Sequence, residues 1–99
     1  MPPVVVWSPR ALACIQRLYS FLAEKNLGAA KKAAELILQQ ADLLEIFPNA
    51  GRPAEDLNPE HRELFIPFGV AGYALLYHFD EQRAAVTVLA VRHQKEVGY

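Results

Sequence analysis

Arg92-His93-Gln94-Lys95 is the stretch of this 99-residue sequence richest in groups that could do chemistry. It follows an apolar run, Ala85 to Val91, and sets two cations beside an imidazole, the side chain suited to acid–base work near neutrality. Such a set can hold an anion, or move a proton while holding one; the plain alternative is the solvated end of a strand. Gly51-Arg52-Pro53 offers another guanidinium, whose planar donor fork matches a carboxylate or phosphate. The same triplet also reads as a helix stop with an exposed arginine. Arg62 and Glu63 open a strand, as an ion pair or as part of a recognition surface. Tyr73 and Tyr77 share one strand face, which reads first as core with satisfied hydroxyls.

Other chemistries lack their residues. His61, His78 and His93 have neither paired cysteines nor the close spacing of a zinc or facial-triad site, so no metal is expected. The glycines form no dinucleotide or phosphate loop, no nucleophile elbow is present, and no cofactor is expected. Cys14 is the only cysteine, so no internal disulfide can form; among apolar residues it reads as an inert buried thiol.

Ten Lys and Arg against eleven Asp and Glu give a formal net charge of −1, with a sequence pI near 6.3. The global basic field of a nucleic-acid binder is missing, so any anion-binding surface must be local. Asp42, Glu45, Glu55, Asp56, Glu60 and Glu63 crowd the middle, while Arg92, His93 and Lys95 collect near the end. Met1-Pro2-Pro3-Val4 lacks the basic and apolar regions of a secretory leader, and no apolar run approaches the roughly 20 residues that span a bilayer. The expected location is the cytoplasm, with no membrane partner.

The elements that must position these groups fit one domain over residues 1–99. Val4-Val5-Val6-Trp7 is a short strand, and Ser8-Pro9 starts a helix as N-cap and first-turn proline. Leu12, Ile15, Leu18 or Tyr19, and Leu22 recur at helical spacing. Asn26-Leu27-Gly28 joins this helix to a second, from about Ala29 to Phe47, carrying Ala30, Ala34, Ile37, Ala41 and Leu44, with Leu36, Leu43 and Phe47 widening the stripe. Pro48 to Pro53 ends it, and an acidic loop follows. Arg62 to Pro67, Gly72 to Phe79 and Ala85 to Val91 are strands, with Asp80 to Arg83 as a hairpin turn; connections this short require antiparallel pairing. The class is α+β, in the order β-α-α-β-β-β, with a helical hairpin packed on a small antiparallel sheet.

Along nearly its whole length the chain resembles the RelE/ParE superfamily of type II toxin–antitoxin toxins. The resemblance rests on Trp7-Ser8-Pro9, Ala29-Ala30, Leu43-Leu44 through Phe47-Pro48, and Gly51-Arg52-Pro53 in that order. It continues through Arg62-Glu63-Leu64, Tyr73-Ala74-Leu75-Leu76-Tyr77 and Val88-Leu89-Ala90-Val91-Arg92-His93. It implies a toxin held inactive by a cognate antitoxin in a hetero-oligomer. It also implies one of two mechanisms: ParE-like members poison DNA gyrase by binding, and RelE-like members cleave mRNA on the ribosome without a metal. A degenerate, non-toxic antitoxin-binding scaffold is a third reading.

Cleavage needs a base for the 2′-hydroxyl, an acid for the leaving oxygen, and cations for the phosphorane. Cleaving members usually carry an arginine directly after the first aromatic residue of the Tyr-x-Leu-x-Tyr-like strand, where this chain has Ala74. Losing one such electrostatic donor typically costs about 10²–10³ in rate. The resemblance therefore favours the binding poison, not an enzyme. Arg52, Arg62, Arg92, His93 and Lys95 are the expected target contacts; the cleaving alternative would use Arg52, Arg62, Arg92, His93 and Tyr99. Leu18, Phe21 and Leu22 widen the first helix beyond one core face and are the expected antitoxin contacts.

Overall fold

A computed structural model of the chain describes residues 2–54, 60–96 and 98–99. Glu55 and Asp56 of the expected acidic loop lie outside the described residues. The order is β1 (Val4–Trp7), α1 (Pro9–Ala23), α2 (Leu27–Asp42), a 3₁₀ turn (Leu43–Glu45), β2 (Arg52–Pro53), β3 (His61–Phe68), β4 (Ala71–Asp80) and β5 (Ala85–His93). One sheet runs β1-β5-β4-β3-β2. The meander β3-β4-β5 is antiparallel, as its short turns require. The sheet as a whole is mixed, because β1 pairs in parallel with β5. Arg52 and Pro53, read from sequence as a helix stop, also pair with β3 as a two-residue edge strand.

The α1–α2 hairpin covers one sheet face. Tyr73, Leu75 and Tyr77 of β4 point into that core with Val86, Val88 and Val91 of β5 and Ile66 of β3. On α1 the fully buried first-turn residue is Ala11, whereas Leu12 is half exposed; Ile15, Leu18 and Leu22 complete the apolar face. On α2 the buried positions are Ala30, Ala33, Ile37 and Ala41, followed by Leu44. Asn26 accepts the Ala29 amide at 2.9 Å, so the helix begins at Leu27, earlier than the alanine pattern suggests. At the other end the helix stops at Asp42 and tightens to 3₁₀ before Pro48, which turns Ile46 and Phe47 into solvent instead of extending the stripe.

Two polar knots hold the loops to this core. Buried Tyr77 donates its hydroxyl to the Pro48 carbonyl at 2.8 Å and accepts the Gly51 amide at 2.9 Å. The chain passes so close that a Cβ on Gly51 would meet the Glu63 carbonyl at 2.6 Å and the Tyr77 hydroxyl at 2.8 Å. Ser8 forms the other knot. Its hydroxyl oxygen accepts the Ala11 amide at 3.1 Å, capping α1, and donates to the Leu89 carbonyl at 3.2 Å.

Leu89 is the extra residue of a bulge: Leu76 faces Ala90 and Tyr77 faces Val88, leaving Leu89 without a partner on β4. The inserted residue reverses the alternation beyond it. Val91 and His93 therefore follow Val88 onto the helical side, while Ala90 and Arg92 turn to the second face. Ser8→Ala should cost about 1–2 kcal/mol, since it removes a helix cap and strands the Leu89 carbonyl. Urea unfolding should show a lower midpoint at unchanged slope; an unchanged midpoint would mean the Ser8 knot contributes nothing.

Candidate functional site

Beyond the bulge the second sheet face carries a compact charged cluster. Glu63 of β3 and Arg92 of β5 flank β4, whose small Ala74 and buried Leu76 form the floor. Arg92 Nη2 lies 3.8 Å from Glu63 Oε2, both side chains being less than one-fifth exposed. Tyr99 donates its hydroxyl to the same carboxylate oxygen at 2.7 Å and lies with its ring 5.1 Å from the guanidinium. Arg92 Nη1 also donates to the carbonyls of His93, Gln94 and Glu96. Its Nε is the one buried side-chain donor without a partner among the described residues.

Other cations fasten the same terminal segment. Arg10 donates to the Tyr99 backbone oxygen at 2.7 Å, and Arg17 pairs with Glu96 through both its terminal nitrogens. Burial works against the Glu96 charge, but the hydrogen bonds from Arg17 and the His93 amide outweigh it and hold the carboxyl below its usual range. Burial first, and then the hydrogen bond and charge of Glu63, push the Tyr99 phenol well above its ordinary value. That phenol stays protonated at neutral pH and serves as a donor. Nearer the sheet edge, the Arg52 guanidinium lies 4.3 Å over the exposed-side ring of Phe65.

A groove of about 680 Å³ opens on the helical side, between α1 and the Phe68–Tyr73 end of β3 and β4. Leu18, Leu22, Phe68 and Tyr73 give it an apolar floor, and Phe21, 62% exposed, forms a lip. Arg17, Lys25, His93, Lys95 and Glu96 complete the lining. His93 packs edge-on against Tyr73, ring centroids 5.5 Å apart. Its Nδ1 accepts the Lys95 amide at 3.1 Å, which leaves the proton of the neutral ring on Nε2.

The expected target contacts therefore do not form one patch. Arg52 and Arg92 belong to the second face, joined there by Tyr99. Arg62, across from Tyr77, is turned inward to hold the Asn49–Gly51 bend, donating to the Gly51 carbonyl at 2.7 Å. His93 and Lys95 line the groove with Leu18, Phe21 and Leu22, which the sequence had assigned to a different partner. Leu18 is mostly core, so Phe21 is the member of that trio with area to offer. Sequence reasoning missed the Glu63–Arg92–Tyr99 cluster and the roles of Phe65, Lys25 and Phe68. The adjacent Arg62-Glu63 pair concealed the first: in a strand the two point to opposite faces, so each takes a distant partner. Among the described residues no group of three or more His, Cys, Asp or Glu could hold a metal ion. No described helix is long and apolar enough to cross a membrane.

Residues 5–98 match the family described as the ParE toxin of type II toxin–antitoxin system, parDE. The toxin RelE3 of Caulobacter vibrioides is 33% identical over 88 residues, covering 89% of this chain and 90% of that protein. A chain of the chromosomal ParDE system from P. aeruginosa superposes with a TM-score of 0.76 at 20% identity, covering 92% of this chain and 95% of its own. The toxin RelE of E. coli, solved free as a double arginine-to-alanine mutant, gives 0.67 at 18% identity over 96% and 86%. The two solved structures share the fold with this chain.

Replacing Arg92 with leucine should leave the Glu63 carboxylate without its cation and cost about 1–3 kcal/mol, between the ranges for exposed and for buried pairs. Adding Glu63→Leu to that variant should recover part of the loss, and urea unfolding of the three proteins measures it. Alkaline pH tests the tyrosines. Burial raises Tyr73 and Tyr77, as it does Tyr99. A raised value means the stability is fully present below the ordinary phenol pKa of about 10 and is lost as pH climbs beyond it. Thermal midpoints should fall above about pH 10, and Tyr99→Phe should lessen the fall.

Proposed function

This chain belongs to the ParE toxin family of type II toxin–antitoxin systems, within the RelE/ParE superfamily, and from that we propose that it stops its target by binding it, as a DNA gyrase poison. A cognate antitoxin neutralises it in a hetero-oligomer, and both partners act in the cytoplasm.

The observation that carries the reading is the occupied state of the charges on the second face. A cleaving site must offer a cation to the phosphorane and a base to the attacking hydroxyl. Here Ala74 supplies only a methyl group at the position between Phe65 and Arg92. The Arg92 guanidinium is spent on Glu63 and three carbonyls. Glu63 in turn accepts from Tyr99, whose phenol is held protonated. His93, the one imidazole nearby in sequence, projects to the other side of the sheet. This supports stoichiometric recognition by a rigid surface over general acid–base chemistry. Arg52, stacked on Phe65, has no ion-pair partner among the described residues and can offer its guanidinium to a partner.

Purified toxin should inhibit gyrase supercoiling or trap cleaved DNA, and Arg52→Glu should weaken this about tenfold or more, as losing a good interface contact does. Intact supercoiling at excess toxin would overturn the proposal. Codon-phased cuts in messages, read by primer extension after induction, would then establish the ribosome-dependent endonuclease in its place. Harmless overexpression without antitoxin would indicate the non-toxic scaffold.

A further inference from the structure

We propose that His61 and His78 form a two-imidazole site for a divalent transition cation of the zinc, copper and nickel class, on the second face of the sheet. The site stands whether or not the chain is a toxin.

The sheet register brings the pair together. His61 of β3 stands directly across from His78 of β4, in a row that continues through Thr87 of β5 to Val6 of β1. Residues directly opposite on antiparallel strands share a face, with Cβ atoms about 4.5–5.5 Å apart. Their chain neighbours Arg62 and Tyr77 turn toward the helical side, so the two imidazoles project from the face that no helix covers. Both are partly exposed, and an ion can reach them.

The rings lie with centroids 6.0 Å apart and planes at 64°. An ion bound about 2.0–2.1 Å from a nitrogen of each ring, at a tetrahedral angle, holds such centroids roughly 5 Å apart. The remaining closure of about 1 Å lies within the broad χ2 range of a histidine. The donor atoms are also prepared. Nδ1 of His78 lies 3.4 Å from the Glu60 carbonyl. A carbonyl only accepts, so this nitrogen carries the proton and the lone pair of the neutral ring sits on Nε2. Metal-bound imidazoles are fixed in the same way, with the other N–H given to a carbonyl or carboxylate.

Nearby carboxylates add no third ligand. Glu63, two residues along β3, is held by Arg92 and Tyr99. Asp80, two along β4, accepts the amides of Gln82 and Arg83. Water therefore completes the coordination, and the ion ties β3 to β4. Imidazole suits zinc, copper and nickel, with copper bound most tightly of the three.

Titration calorimetry of the untagged chain with zinc chloride tests the site. One ion per chain should bind with micromolar affinity, and His61→Gln and His78→Gln should each weaken it tenfold or more. His93→Gln should leave the titration unchanged, because that ring lies on the helical side. Saturating zinc should raise the thermal midpoint of the wild type and of His93→Gln, but not that of either pair variant. Midpoints of the zinc-free variants equal to that of the wild type show that the substitutions act on the site and not on the fold. Absence of binding up to millimolar zinc, or binding that His78→Gln leaves unchanged, would overturn the proposal. On the wild-type chain itself, the paramagnetic resonance of bound copper should report two imidazole nitrogens; a single nitrogen would sink the pair whatever the variants do.

Discussion

Leu89 occupies a position in β5 that has no counterpart on β4, and the opposite placement of Arg92 and His93 follows from that insertion. Without it, strict alternation from Val86 and Val88 would carry Arg92 to the helical side and His93 to the second face. With it, Val91 fills the core, Arg92 reaches Glu63, and His93 reaches Tyr73. The bulge is fastened by Ser8, which ties the Leu89 carbonyl to the first turn of α1. A helix start and a strand irregularity thereby stabilise each other, and the groove between α1 and the sheet inherits its shape from their joint position.

The alternation that the bulge interrupts is also what the sequence displays best. Tyr73, Leu75 and Tyr77 share the core face as their spacing implies, and the turns of the meander leave antiparallel pairing as the only choice. Ser8, Pro9 and Asn26 announce the helix starts through local hydrogen bonding. What stayed hidden has a common cause. Ala85 to Val91 is apolar except at Thr87, which precedes the bulge, so no polar residue beyond it reports which side each member faces. Arg92 and His93 consequently look like one cationic site in sequence, although the sheet separates them. The parallel partnership of β1 is equally silent, because nothing in Val4 to Trp7 names a strand some eighty residues away. Phe47 misled for a different reason: the apolar period continues through it, but Pro48 closes the helix first.

The two surfaces dispose their charges in opposite ways. The second face is rigid and internally neutralised, with Arg92, Glu63 and Tyr99 locked together. Such a face is ordered before any partner arrives, with Arg52 stacked on Phe65 near its edge. The groove on the helical side is the opposite, an apolar trough rimmed by Lys25 and Lys95, which have no ion-pair partner among the described residues. Arg17, Arg92 and Arg10 tie the terminal segment between the two, so that the groove rim and the charged face are parts of one connected structure.

The parallel pairing of β1 with β5 has a consequence for how the molecule comes into being. Contacts such as Ser8 to Leu89 span 81 positions, so the first strand cannot find its neighbour until the last has emerged from the ribosome. Until then β1 and the start of α1 lack the strand they dock on, and the sheet has an open edge. The β1 edge of the sheet and the docking of α1 on β5 are therefore completed last, only after synthesis has passed β5.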